Sequence, residues 1–167
     1  KLKEKNSDTV GWIKVEGTSI NYPVVKTTDN DFYIYHSFDK SENGAGWIFA
    51  DYRNKLDGTD KNIIIYGHNR RNGTMFESLK NTLTPEWFNN EQNKYITYTS
   101  ETEEIKYEVF STYKIEVEDY YIQTDFTDKT FDKFLKTIKS RSVKDYGVEI
   151  TKNDSILTLS TCDDSNK

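Results

Sequence analysis

Three side chains in this 167-residue sequence stand out for nucleophilic or proton-transfer chemistry near neutral pH: the single cysteine, Cys162, and the two histidines, His36 and His68. Cys162 closes the apolar segment SILTLSTC (155–162) and is followed by the polar DDSNK. His68 has the same setting, following IIIY (63–66) and Gly67 and leading into the polar NRRNG. A side chain where a buried strand emerges into a loop is held rigidly yet reaches solvent, which suits a general acid–base. If the two strands are parallel neighbours, their ends bring thiol and imidazole together. A free thiol is only roughly a few per cent ionised at neutral pH. A nearby imidazole or other cation raises the thiolate fraction and can later protonate a leaving amine. The chemistry implied is acyl transfer through a thioester. A blander reading stands beside it, because a lone cysteine is often just a small buried hydrophobe. His36, in YIYHSFD, reads as a surface or internally satisfied histidine.

Other chemistries fit less well. Histidine precedes cysteine, whereas papain-like enzymes place the cysteine first, and the caspase signature is absent. One cysteine and two distant histidines lack compact zinc-ligand spacing. DGTDKN (57–62) lacks the acidic spacing and closing Glu of a calcium loop and reads as a turn. No metal and no cofactor is implied.

The whole chain bounds the rest. Its length suits one domain, residues 1–167, with 1–7 (KLKEKNS) as a charged leader. Aromatic residues at 14% suit a half-buried sheet and argue against disorder despite 31% charge. A net charge of -5 with no basic stripe argues against nucleic-acid binding. One cysteine makes no intrachain disulfide, and no apolar run is long enough to span a membrane. With no initiating Met, the sequence is expected to be a domain of a longer protein.

The elements that must position the thiol and the imidazole are mostly strands. DTVGWIKVEGTSINYPVV reads as two strands around Glu16-Gly17-Thr18, with Pro23 at an edge or strand start. GWIFADY (46–52) and NIIIYGH (62–68) read as strands, the second buried on both faces. Residues 74–93 turn helical, with Met75, Phe76 and Leu79 on one face and Pro85 at a helix start. Residues 105–117 alternate with period two and read as a long strand, joined to KYITYT through SETEE. Phe131, Phe134, Leu135 and Ile138 form the i, i+3, i+4, i+7 stripe of an amphipathic helix near 130–141. The class is α+β, mainly β, and barrel-like.

These residues resemble a known family. TLSTC (158–162) is similar to the TLxTC signature of sortases, the Gram-positive cysteine transpeptidases that attach surface proteins to the cell wall. DTVGWIKVEGTSINYPVV, GWIFADYRN, NIIIYGHN, GTMFESL and FDKFLKTIKSRSV occur in the order expected of class B members, from about Asp8 to the end. The resemblance implies a sortase-type β-barrel with the site at one rim. Cys162 would attack the carbonyl of a Thr in a C-terminal sorting signal. His68 would protonate the leaving amine, then deprotonate an incoming amine of a peptidoglycan precursor. The signal would be of the Asn-Pro-Gln-Thr-Asn or Pro-x-Thr-Gly type, and Asn30, Ile34, Tyr66, Tyr121, Ile122 and Ser160 would line the pocket. Val117 stands where some members carry a small hydroxyl residue. For Ile34 and Ile122 ordinary core packing is the competing role. The enzyme would work on the outer face of the membrane, held by an N-terminal segment outside this chain.

The family also uses an Arg on the strand after the Cys loop, and this chain stops within that loop, at Lys167. None of Arg53, Arg70, Arg71 and Arg141 occupies that position. The expectation is that the final strand belongs to the parent protein, and that the shortened chain, without its oxyanion donor, is nearly silent. A non-catalytic sortase-like interaction module and a simple thiol hydrolase are the competing functions.

Overall fold

The strands assemble into a single sheet, and their order places the segments that lead to His68 and Cys162 side by side. The computed structural model describes residues 1–161. In chain order the elements are helix α1 (Leu2–Lys5), strands β1 (Thr9–Val15), β2 (Asn21–Val25), β3 (Phe49–Ala50) and β4 (Asn62–Tyr66), helix α2 (Pro85–Phe88), strands β5 (Tyr95–Thr99) and β6 (Glu104–Glu108), helix α3 (Asp128–Ser140) and strand β7 (Ile156–Ser160). The sheet order is β6-β5-β1-β2-β3-β4-β7, so among the described residues β6 and β7 are its two ends and the sheet does not close into a barrel. Tyr107, Val109, Leu157 and Leu159 are among the residues that line a groove of about 1580 Å³.

The hairpins follow their turn chemistry. β1 and β2 pair antiparallel around Gly17, whose φ of 73° is open to glycine and strained for other residues. Pro23 lies within β2 opposite Trp12. The β3 ladder meets β2 only at Val25↔Phe49, so Pro23 sits on a locally unpaired edge where a missing N–H is tolerated. β5 and β6 pair antiparallel through the SETEE turn. Before β1, Asn6 is buried: its Nδ2 donates to Tyr33 Oη at 2.8 Å and to the Phe38 carbonyl at 2.9 Å. Tyr33 in turn donates to Asp8 Oδ2 at 2.8 Å, which ties the start of the chain to the 3₁₀ turn Phe32–Ile34.

Three elements depart from the sequence expectation. The strand expected over 46–52 shrinks to the two residues of β3, because Gly46 at φ 60° turns the chain on one side and Asp51 begins a side-chain-bonded turn on the other. Residues 74–93 are mainly 3₁₀ turns, Glu77–Leu83 and Glu91–Asn93, with only four residues of α-helix between them. Pro85 explains the break: it starts α2 and forces Thr84 before it into an extended conformation (φ -102°, ψ 144°).

The alternation over 105–117 yields a ladder only as far as β6. Beyond it the chain leaves β5 and docks on the end of α3, where Ser111 Oγ donates to the Ile138 carbonyl and the Val143 amide donates to the Thr112 carbonyl. Val117 is fully exposed there.

Helix α3 matches its pattern. Phe131, Phe134, Leu135 and Ile138 are all buried and cluster with Ile156 at the start of β7, while Thr127 and Thr130 form a reciprocal capping box. Burial of these four side chains, at roughly 1.5–3 kcal/mol for each large apolar group, fixes the helix against the strand that leads toward Cys162.

Candidate active site

β4 and β7 are parallel neighbours, and their register is Asn62↔Ile156 through Tyr66↔Ser160. The Gly67 amide extends the pairing by donating to the Ser160 carbonyl at 3.1 Å. His68 follows the last β4 residue by two positions, and Cys162 follows the last β7 residue by two. Cys162 itself lies outside the described residues. His68 is exposed, and its carbonyl accepts the Phe76 amide at 2.8 Å, which pins the turn that carries the imidazole.

Gly67 sets how closely this turn packs. A Cβ there would come within 2.4 Å of the fully buried Phe76 ring. We expect Gly67→Ala to destabilise the fold by about 1–3 kcal/mol through overpacking. Thermal unfolding checks this, and relief in the Gly67→Ala/Phe76→Leu double variant identifies the clash as the cause.

Five of the six expected pocket residues are joined by hydrogen bonds or ladder pairing. Tyr121 Oη and Ser160 Oγ lie 2.7 Å apart. Ser160 is the register partner of Tyr66. Tyr66 Oη donates to Asp51 Oδ2 at 2.7 Å, and Asn30 Nδ2 donates to the same oxygen at 3.1 Å. Arg53 Nη2 bonds Asp51 Oδ2 at 2.9 Å and the Ile122 carbonyl at 2.8 Å. Ile34 stands on the 3₁₀ turn Phe32–Ile34 with 41% of its surface exposed, so the core-packing alternative does not describe it. Its neighbours Phe32 and Tyr33 pack with Phe49 and Tyr66, which brings that turn to the same end of β4.

The electrostatics centre on Asp51, whose side chain is fully buried. Burial pushes its carboxyl up, but hydrogen bonds from Arg53 and Tyr66 outweigh it and hold the group below the usual carboxylate range. The hydrogen bond to Asp51 raises the Arg53 guanidinium further above its ordinary value. Burial, and then the Asp51 carboxylate, push the Tyr66 phenol well up, so it remains a donor. Arg141 is committed elsewhere, to Glu118 at 2.8 Å.

A family model described as a sortase domain matches residues 13–167. The chain belongs to the sortase family. Sortase B of Listeria monocytogenes is 38% identical over 163 residues, which are 97% of this chain and 65% of that protein. The chain thus spans just under two thirds of that relative's length. The structure of Clostridium perfringens sortase B matches with a TM-score of 0.91 and 42% identity, covering 98% of this chain and 90% of that one. A Staphylococcus aureus sortase B–substrate complex matches with a TM-score of 0.91 and 39% identity, covering 99% and 76%. These relatives place the chain in class B, and α3, which carries the start of the motif FDKFLKTIKSRSV, lies between β6 and β7.

Within this sortase fold, Asp51, Arg53 and Asn62 hold the site together without standing out in the sequence. Asn62 is fully buried. Its Nδ2 donates to the Tyr121 and Gln123 carbonyls at 3.3 and 2.9 Å, and its Oδ1 accepts from Thr158 Oγ1 at 2.6 Å. The available signal was a polar residue opening the run NIIIY and an acid two residues before an arginine in DYR.

Proposed function

We propose that the chain is the catalytic domain, residues 1–167, of a cysteine transpeptidase that cleaves a C-terminal sorting signal after Thr and joins the protein to a peptidoglycan amine. The observation that carries this reading is the parallel β4–β7 register, which ends level two residues short of His68 and two short of Cys162. The Cys162 thiolate attacks the Thr carbonyl. As the tetrahedral intermediate collapses, the C–N bond breaks and the leaving amine takes a proton from the His68 imidazolium. The thioester that remains is attacked by the acceptor amine, His68 takes the proton, and the C–S bond breaks to restore the thiolate. Asn30, Ile34, Tyr66, Tyr121, Ile122 and Ser160 line the peptide pocket.

The substrates in this proposal are Asn-Pro-Gln-Thr-Asn or Pro-x-Thr-Gly signals. The same chemistry run to water makes the protein a hydrolase of the thiol-protease kind. The proposed location is the outer face of the cell membrane, with a membrane anchor elsewhere in the whole protein. No helix among the described residues is long and apolar enough to cross a membrane.

The test is a panel of fluorogenic sorting-signal peptides incubated with the full-length protein, with and without an added amine such as triglycine. Cleavage after Thr, with the amine diverted into a ligated product, is expected. Cleavage that added amine never diverts would make the protein a simple thiol hydrolase. No turnover of any Pro-x-Thr peptide by a folded protein would end the transpeptidase reading.

A further inference from the structure

Asp51 lies immediately after β3, its carboxylate is fully buried, and it accepts every hydrogen bond that converges on it. Oδ1 takes the Arg53 amide and Arg53 Nε, both at 2.9 Å. Oδ2 takes Arg53 Nη2 at 2.9 Å, Tyr66 Oη at 2.7 Å and Asn30 Nδ2 at 3.1 Å. The Asp51 amide is itself fixed, donating to the Ile64 carbonyl of β4 at 2.8 Å. Asn30 is held from a second side, its Oδ1 accepting the Tyr52 amide at 2.9 Å. One buried carboxylate therefore couples the loop that carries Asn30, the strand that carries Tyr66 and, through the arginine fork, the 3₁₀ turn Tyr120–Ile122.

We propose that Asp51 and Arg53 are positioning residues for the peptide pocket: Asp51 sets Asn30 and Tyr66, and Arg53 carries that constraint across to Tyr121 and Ile122. The proposal rests on the pocket reading given above and deepens it, because neither residue is assigned a contact with substrate. The fork is what the geometry requires. Nε and Nη2 engage both carboxylate oxygens while Nη2 also donates to the Ile122 carbonyl. A lysine keeps the charge but presents one compact ammonium in place of a planar fork, so it cannot reproduce all three bonds. Asn62 holds the neighbouring Tyr121 and Gln123 carbonyls, so loss of the arginine loosens this turn without freeing it.

The experiment compares wild type with Arg53→Lys and Arg53→Ala in the full-length protein, by two readouts. Arg53 keeps 38% of its side chain exposed, so these variants are expected to fold. The first readout is amide hydrogen exchange, which needs no substrate. Exchange at residues 120–123 is expected to quicken by about tenfold in both variants, while β4 and β7 remain protected. The second is steady-state turnover of the best sorting-signal peptide. KM is expected to rise about tenfold with kcat changed by less than about twofold, the signature of lost binding order rather than lost chemistry. A purely structural role for the pair would lower thermal stability and leave KM alone, and that result overturns the proposal. So does unchanged exchange at 120–123 in both variants. A wild-type protein that turns over no peptide is a different failure, visible before any variant is compared. It overturns the peptide pocket and this positioning role together, whatever the exchange readout gives.

Discussion

His68→Ala in the full-length protein is expected to lower kcat/KM for a sorting-signal peptide by about 10²- to 10⁴-fold, the usual worth of a positioned general acid–base. The imidazole enters the proposed cycle twice, protonating one amine and deprotonating the next, so its removal slows both halves. His68 is exposed, and the bond that pins its turn is made by its backbone carbonyl, which alanine retains. Thermal stability should therefore stay within about 0.5 kcal/mol of wild type, as for other surface substitutions. Alkylation of Cys162 by a peptide-like electrophile should slow in parallel with turnover. Equal thiol reactivity in wild type and His68→Ala would separate the two residues and favour the non-catalytic interaction module.

The largest effect on stability is expected at Asp51. Asp51→Ala removes the acceptor for Arg53, Tyr66 and Asn30 at once. Breaking a buried pair costs about 3–5 kcal/mol when the surviving charge is trapped. Arg53 can turn partly to water, so about 2–4 kcal/mol is expected here, read by chemical denaturation. The pH dependence gives an independent check. The Asp51 carboxyl is held below its ordinary value in the folded protein, so the unfolded chain binds that proton more readily. Its stabilisation is complete above the usual carboxylate range and is lost as pH falls through the depressed folded value. The gap in melting temperature between wild type and Asp51→Asn should be widest near neutral pH and should narrow on acidification. A gap that widens in acid would contradict an ionised Asp51.

How much of this was legible beforehand depends on what each pattern encodes. The α3 stripe specifies which face is buried, and that face packs on Ile156 as a 3.6-residue period requires. The continuous apolar run at 63–66 announced a strand buried on both faces, and the adjacent Ile64 and Ile65, which face opposite ways, are both fully buried. Alternation over 105–117 misled because period two records an extended backbone, and says nothing about where its partner strand ends. The residues that fasten the candidate site were harder to see. An aspartate in DYR reads as surface by residue type, and only the fold brings Arg53, Tyr66 and Asn30 around it. The proposed pocket residues Asn30, Ile34, Tyr66, Tyr121, Ile122 and Ser160 were reached through family resemblance. No periodicity in the chain relates Asn30 to Tyr121.

In the proposed cycle Cys162 carries an acyl group cut from a sorting signal. Its most direct test is intact-protein and peptide mass spectrometry of the full-length protein, quenched in acid during turnover of a peptide labelled on the N-terminal side of its Thr. A labelled thioester is expected on the peptide that contains Cys162, discharged by hydroxylamine or by an acceptor amine and lacking in Cys162→Ala. Turnover with no adduct at Cys162, or turnover that persists in Cys162→Ala, would contradict it.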